Sequence, residues 1–265
     1  MTDDAILRRH AHACDLARRA GAAALGYFNT RDTLDIEAKA NPQDVVSRAD
    51  REVEALVREA ITATFPHDAI LGEEAAPTPG TSGYTWVIDP IDGTMPFLSG
   101  LPHWCVAIAV LHGDRTVAAA TCAPVSGTLY DATLGHGFRC NGAENGAPLT
   151  LGITDAMTAI GASHRTSAAG IAAVIERLLT AGGAYYRSGS GALMLAEVAS
   201  GRLAGYYEPH MNAWDCLGGL LMVEEAGGRT APLDMPRMLA EGAAVLAASA
   251  YAFGPLSEVV APERA

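Results

Sequence analysis

The chain has 265 residues, 49% of them hydrophobic and 18% charged, which is enough apolar material for a sizeable core and gives no sign of disorder. Its 18 Lys and Arg stand against 30 Asp and Glu, a formal net charge of −12, which disfavours nucleic acid or an anionic membrane surface as primary ligand. Five scattered cysteines without a CxxC pair argue against a disulfide framework and a structural zinc site. The acidic start Met1-Thr2-Asp3-Asp4 is no secretory signal, and no run reaches the roughly 18 apolar residues of a membrane span. The expectation is a soluble, cytoplasmic protein forming a single unit over residues 1–265.

In chain order, apolar positions at helical spacing (Ile6, Leu7, Ala11, Cys14, Leu16, Ala17, Ala20) predict a helix from Asp4 to Phe28. Thr33–Ala38 alternates like a strand and Asn41-Pro42 reads as a turn. Ser47 to Asp50 has the form of a capping box with Asp in place of the usual Glu, opening a helix with Val53, Leu56, Val57, Ile61 and Phe65 on one face. Ala69–Leu71 and Thr85–Ile88 are short apolar runs bounded by turn residues, which predicts buried strands. The Pro and Gly cluster from Ala76 to Gly83 predicts a mobile surface loop.

Further on, Cys105–Leu111 and Thr116–Thr121 form a predicted strand pair around His112-Gly113-Asp114, and Gly135–Gly142 a further hairpin. Beyond Gly152 helices are predicted at Ile171–Ala181, Ala192–Ala199 and Trp214–Ala226. They alternate with strands at Ala184–Arg187, Arg202–Tyr207 and near Ala244–Ala247. This mixture predicts a layered α+β or α/β body with a soft lobe boundary near Thr150: most of the candidate acids lie in 1–150, and Asp215 lies in 151–265.

The stretch Trp86-Val87-Ile88-Asp89-Pro90-Ile91-Asp92-Gly93-Thr94 is the most informative. A buried strand ends in an Asp, a second Asp follows, and Gly-Thr opens a short helix. Carboxylates at a strand end are held by the sheet and suit a hard cation. Gly93 permits close backbone approach, and the first amides of a helix lack intrahelical partners, which makes an anion cradle. Such a turn by itself most often only caps a helix. Two further segments change the reading. Leu71-Gly72-Glu73-Glu74 puts adjacent carboxylates at another strand end, and Trp214-Asp215 puts one at a helix start. Bound cations would also explain how an acidic molecule accepts an anion in that cradle.

Taken together, Glu73-Glu74, Asp89-Pro90-Ile91-Asp92-Gly93-Thr94 and Trp214-Asp215 with Glu225-Ala226-Gly227-Gly228 resemble the inositol monophosphatase family over nearly the whole chain. The resemblance implies a layered αβαβα sugar-phosphatase fold with two mixed or antiparallel sheets, a homodimer, and a Mg²⁺-dependent phosphomonoesterase with two or three ions per subunit. It implies metal ligands at Glu73, Asp89, the carbonyl of Ile91, Asp92 and Asp215. It implies catalytic roles for Glu73, for Thr94 and for Asp50, which follows Lys39 and Asp44 and orients Thr94. Substrate contacts are implied at Asp92, Gly93, Thr94, Ala192 and Glu208. Two ions roughly 3.5–4 Å apart would clamp the attacking and leaving oxygens of an in-line displacement.

Other side chains read more plainly. His103 and His210 have no partner at metal-ligand spacing, His164-Arg165 reads as an exposed loop pair with substrate contact across a dimer boundary as the alternative, and Cys216 reads as packing. Ser188-Gly189-Ser190-Gly191 lacks the elbow of a hydrolase serine, and there is no P-loop. No Lys or Arg cluster stands near the motifs for a second substrate phosphate.

Specificity is divided. Leu98-Ser99-Gly100-Leu101-Pro102 is similar to histidinol-phosphate phosphatases of the same superfamily. Tyr206-Tyr207-Glu208 and Asn212-Ala213-Trp214-Asp215 look like the inositol monophosphatase type. Inositol monophosphate or a similar polyol phosphate is favoured over histidinol phosphate. A role as a partner of transcription machinery, known among bacterial relatives, is the reading from another class, without direct nucleic-acid contact.

Overall fold

A computed structural model describes residues 2–34, 36–38, 45–144 and 149–261. Lys39, the Asn41-Pro42 turn and Asp44 lie outside the described residues. Helix α1 (Asp3–Asn29) buries Ile6, Ala13, Leu16, Ala17, Ala20 and Ala24 along one stripe, as the 3.6-residue spacing of these positions requires. The strand predicted at 33–38 is shorter: β1 (Ile36–Ala38) pairs antiparallel with β2 (Val45–Ser47). The capping box forms. The Ser47 hydroxyl accepts from Ala49 N at 3.1 Å, and Asp50 Oδ2 accepts from Ser47 N at 2.9 Å, opening α2 (Arg48–Thr64).

A seven-stranded mixed sheet follows, in the order β3 (Ala69–Gly72), β4 (Tyr84–Asp92), β5 (Cys105–His112), β6 (Arg115–Ala123), β7 (Thr128–Thr133), β8 (Phe138–Cys140) and β9 (Ala143–Glu144). Only β3 and β4 run parallel; the other neighbours are antiparallel. The five-residue helix α3 (Thr94–Leu98) directly follows β4. The hairpin predicted at Gly135–Gly142 is corrected. Gly135 and Gly137 form the turn between β7 and β8, and the hairpin strands are β8 and β9. The 76–82 loop is exposed, yet Ile70 and Thr78 exchange two backbone hydrogen bonds and Ser82 Oγ donates to Asp68 Oδ1 at 2.6 Å.

The second sheet combines β10 (Met157–Ile160), β11 (Ala184–Tyr186), β12 (Gly205–Met211), β13 (Arg229–Thr230) and β14 (Ala243–Ala248) in the order β11-β10-β12-β14-β13. Its helices are α4 (Ala168–Thr180), α5 (Gly191–Ala199), α6 (Ala213–Glu225), α7 (Met235–Glu241) and α8 (Phe253–Val260). The strand predicted at Arg202–Tyr207 starts at Gly205 and runs on to Met211, so it includes His210.

The layers are α1 and α2, the seven-stranded sheet, α5 and α6, the five-stranded sheet, then α4 and α8. Three apolar clusters fill the spaces between them. This is the expected αβαβα arrangement. The central pair α5 and α6 is buried on all sides, which is why their sequences carry scarcely a charge apart from Asp215 and the acids near their ends. No helix among the described residues is long and apolar enough to cross a membrane.

Candidate active site

The site begins with an irregularity in β4. Residues three apart in a strand face opposite sides of the sheet. The β4–β5 register pairs Asp89 with Ala107 but Asp92 with Cys105, so β4 carries one extra residue between them. This bulge at Pro90-Ile91 turns both carboxylates to the same place. The Asp89 side chain then accepts from Ile91 N at 3.0 Å and locks the turn.

Gly93 follows with φ +93°, a left-handed conformation that L side chains rarely adopt, and a Cβ there would lie 3.0 Å from His103 O and from Ser190 Cβ. The chain can therefore turn into α3 immediately, with Thr94 at its first position. Thr94 Oγ1 lies 3.2 Å from Ile91 O and 3.4 Å from Asp50 Oδ1. The other Asp50 oxygen accepts from Ser47 Oγ at 2.7 Å. The α2 capping box thus aims Asp50 at Thr94.

Asp92 is held from across the molecule by the start of α5. Ser190 Oγ donates to Asp92 Oδ2 at 2.5 Å, Ala192 N to Oδ2 at 2.7 Å, and Gly191 N to Oδ1 at 3.3 Å. Asp215 enters from α6, where its Oδ2 accepts from Asn212 N at 2.9 Å in a second capping box. Carboxylate oxygens of Asp89, Asp92 and Asp215 all lie within 4.8 Å of one another. Glu73, at the end of β3, lines the same cleft, and its backbone N donates to Ile88 O at 3.3 Å.

The electrostatics of this cluster follow from its position. Burial, and then the charges of Glu73, Asp92 and Asp215, hold the Asp89 carboxyl well above the usual carboxylate range. Burial and then Asp92 and Glu73 do the same to Asp215. Asp92 is raised by burial, with the Ser190 hydroxyl and the α5 amides working the other way. Acids packed this closely repel one another unless a cation lies among them. The donors that converge are all oxygen, which fits a hard dication such as Mg²⁺.

The cleft, about 830 Å³, continues past Met95, Pro96 and Leu101 to Gly161, Ser163, Arg165, Arg187, Glu208 and His210. Glu208 accepts a very short hydrogen bond from Tyr206 Oη, and burial raises its carboxyl to about 7. A Cβ on Gly161 would collide with Glu208 Oε2, so glycine there keeps the carboxylate in place. Arg165 Nη1 donates to Asn212 Oδ1 at 2.8 Å, and Arg187 Nη2 donates to Ala162 O at 3.0 Å. The sequence shows no Lys or Arg cluster beside the motifs, and the cleft's two arginines are not sequence neighbours of one another. Arg165 and Arg187 reach the cleft from distant segments, and His164 and His210 line it beside them.

The cleft lining includes Glu73, Asp89, Ile91, Asp92, Gly93, Thr94, Glu208 and Asp215. Asp50 stands behind Thr94. Ala192 is not among the lining residues: it is 1% exposed and its N–H is occupied by Asp92. Its observed contact is to a candidate metal ligand rather than to the substrate space. Two supporting residues escaped the sequence reading. In the sequence Ser190 stands out only as a hydroxyl without the elbow of a nucleophile. Glu54, buried on the apolar face of α2, accepts from Glu74 N at 2.7 Å, Ala75 N at 3.1 Å and Arg58 Nε at 2.6 Å, fixing the turn after Glu73. An acid inside the Val53, Val57, Ile61 stripe was the available signal.

Comparison with known proteins agrees with this geometry. The family model described as "Inositol monophosphatase family" matches residues 8–260. The chain is 33% identical to the inositol-1-monophosphatase of Rhizobium meliloti over 213 residues, 79% of this chain and 80% of that protein. It is 34% identical to the Nus factor SuhB of Escherichia coli K12 over 215 residues, 80% of each. The crystal structure of the extragenic suppressor protein suhB from Bartonella henselae superposes with a TM-score of 0.87 at 26% identity, covering 94% of this chain and 97% of that one. By its matched length, its relatives and its five layers, the chain belongs to the inositol monophosphatase family.

Proposed function

We propose that the protein is a Mg²⁺-dependent phosphomonoesterase acting on a small polyol phosphate, with inositol monophosphate the first choice. The observation that carries this is the convergence of Asp89, Asp92 and Asp215 within 4.8 Å, with Glu73, Thr94 and Asp50 alongside. Glu73, Asp89, the Ile91 carbonyl, Asp92 and Asp215 are the residues that would hold two or three ions. When bound, Mg²⁺ neutralises the carboxylates and stabilises charge on the attacking and departing oxygens.

The chain's own residues supply the rest. Asp50 accepts from the Thr94 hydroxyl and so leaves a Thr94 lone pair free to orient a water beside Glu73, which takes that water's proton. The Gly93 and Thr94 amides at the start of α3 receive phosphate oxygens. Ser190 and the α5 amides favour the ionised form of Asp92 against its burial and hold it in position. Arg165 and Arg187 on the exposed wall attract the anionic ester. Glu208 accepts from substrate hydroxyls, and it could equally pair with the ammonium of histidinol phosphate, the alternative substrate. Residues 1–265 acting as one unit, a cytoplasmic location and a homodimer belong to the same proposal.

The relatives named Nus factor SuhB favour a second reading, a role beside transcription machinery. Phosphate release from inositol 1-phosphate, histidinol phosphate and several sugar phosphates, with and without Mg²⁺, tests the enzyme reading. Wild type should be active only with the ion, and Asp92→Asn should lose at least about 10²-fold in kcat. Near-normal turnover of Asp92→Asn at saturating Mg²⁺, or an inert wild type across the panel, would refute it.

A further inference from the structure

Away from the cleft, α1 meets β7 through three groups that the proposed chemistry does not use. His10 and Cys14 are four residues apart on α1 and therefore share a face. Asp131, in the middle of β7 and 4% exposed, faces them from the sheet. His10 Nε2 lies 2.9 Å from Asp131 Oδ1 and 3.4 Å from Cys14 Sγ, and the three ligand atoms are all within 4.8 Å of one another. None of the three lines the cleft.

We propose that His10, Cys14 and Asp131 form a second metal site, for a borderline divalent transition ion such as Zn²⁺, with water at the fourth position. A single imidazole nitrogen faces both a carboxylate and a thiol. It carries at most one proton, so hydrogen bonding alone cannot serve both neighbours as an ion would. An ion among them is approached by a lone pair from each. Tetrahedral Zn²⁺ with bonds of about 2.0–2.1 Å to N and O and about 2.3 Å to S sets N···O and N···S edges of about 3.3 and 3.6 Å. The observed separations fall short of these by only about 0.4 and 0.2 Å, a small outward adjustment of two side chains.

The donor set is one nitrogen, one sulfur and one carboxylate oxygen, which selects Zn²⁺ over Mg²⁺. The thiol, which burial and Asp131 push up to about 12, has Arg18 and Arg139 nearby, and both favour its ionised form. On binding, Cys14 gives its proton to solvent as the S–metal bond forms. Cysteine spacing could not reveal such a site, because it uses one cysteine and its other ligands come from a helix turn and a strand more than a hundred residues on.

The test uses the whole chain, stripped with chelator under reducing conditions and then kept in excess Mg²⁺ to fill the oxygen-only cluster. Zn²⁺ is added and the ion retained after gel filtration is counted by mass spectrometry; Co²⁺ is added in parallel and its thiolate charge-transfer absorption recorded. Wild type and Asp92→Asn should each retain one Zn²⁺ per chain and show the sulfur band. Cys14→Ser and His10→Gln should lose at least about a hundredfold in Zn²⁺ affinity, more than the loss from removing an outer partner of a ligand, and the band should vanish in Cys14→Ser. Circular dichroism and unchanged phosphate release from Cys14→Ser and His10→Gln verify that both fold. Stoichiometric Zn²⁺ in Cys14→Ser, no sulfur band in wild type, or Zn²⁺ lost from Asp92→Asn alone would each overturn the proposal and leave the cluster a helix-docking contact.

Discussion

Ser190→Ala tests the claim that α5 holds Asp92 in its working state. Ser190 is fully buried, and its hydroxyl donates to Asp92 Oδ2 at 2.5 Å while accepting from Leu193 N at 3.4 Å as the cap of α5. Removing it takes one of three close donors from a buried carboxylate, a hydrogen bond to a charged group worth about 1.5–3 kcal/mol. The lost cap adds about 1 kcal/mol. The amides of Gly191 and Ala192 remain, so a net loss of about 2 kcal/mol is expected, lowering Tm by roughly 4–8 °C for a chain of this size. Function should shift in a separable way. With fewer donors Asp92 resists ionisation more, so the Mg²⁺ concentration giving half-maximal phosphate release should rise about 10–100-fold. At saturating Mg²⁺, kcat should return to within a few-fold of wild type, because Ser190 does not touch the reacting atoms. Titrating Mg²⁺ at fixed substrate reads both quantities. An unchanged Mg²⁺ requirement would show that Ser190 is only a helix cap.

Two other changes probe the backbone and the substrate wall. Gly93→Ala must carry a side chain at φ +93°, a cost of about 1–2 kcal/mol, with its Cβ against His103 O and Ser190 Cβ. Thermal melts should show a loss of roughly 2–8 °C, and phosphate release should fall more than 10-fold; wild-type behaviour in both would mean the turn is not needed. The Glu208 carboxyl, raised by burial to about 7, contributes stability that is complete below its unfolded pKa of about 4.3 and is lost as pH rises through about 7. Glu208→Gln should remove this component, worth up to about 3 kcal/mol, so the variant gains on wild type in chemical denaturation between pH 5 and 8; a gap constant with pH would contradict the assignment.

Much of the site was legible because its acids sit where local pattern changes. Asp89 and Asp92 follow a buried strand, Asp50 completes a capping box, and Asp215 opens an apolar helix. Such signals are short-range, and they place the ends of elements well. What escaped depends on distant partners. Ser190 and Asp92 are 98 residues apart, so nothing near Ser190 announces its hydrogen bond. Arg165 and Arg187 approach the cleft only through the second sheet. Strand β7 is not evident in the sequence because all six of its residues are buried, so Thr128, Asp131 and Thr133 do not mark a solvent face, and the glycines after it place the predicted hairpin just beyond its end. Glu54 was visible as an acid on an apolar face, yet its role required the turn after Glu73 to be in place. The register shift in β4 was the least accessible feature, since a bulge is set by pairing with β5 and not by β4 alone.

That shift also sets the cost of the site, because it brings two carboxylates to one side of the sheet, facing Asp215 and Glu73. Without a cation this arrangement works against the fold. Each pKa unit by which Asp89 is held above its ordinary range costs about 1.4 kcal/mol once the group is ionised, and its shift is large. A folded-state pKa raised above the unfolded value means stability that is intact below about pH 4 and lost as pH rises. Asp89→Asn removes the charge, keeps an oxygen to accept from Ile91 N, and turns its NH₂ toward the remaining acids. In chelator at pH 8 it should therefore melt at least about 3 °C above wild type, with the advantage shrinking toward pH 4. Saturating Mg²⁺ should reverse the order, because only wild type gains fully from the ion. Asp92→Asn should not share the gain, since Ser190, Gly191 and Ala192 present donors to both of its oxygens and an amide NH₂ would face one of them. If Asp89→Asn melts at or below wild type in chelator at pH 8, the acids are not in the mutual repulsion that makes a cation necessary, and the case for a metal-dependent site loses its physical basis.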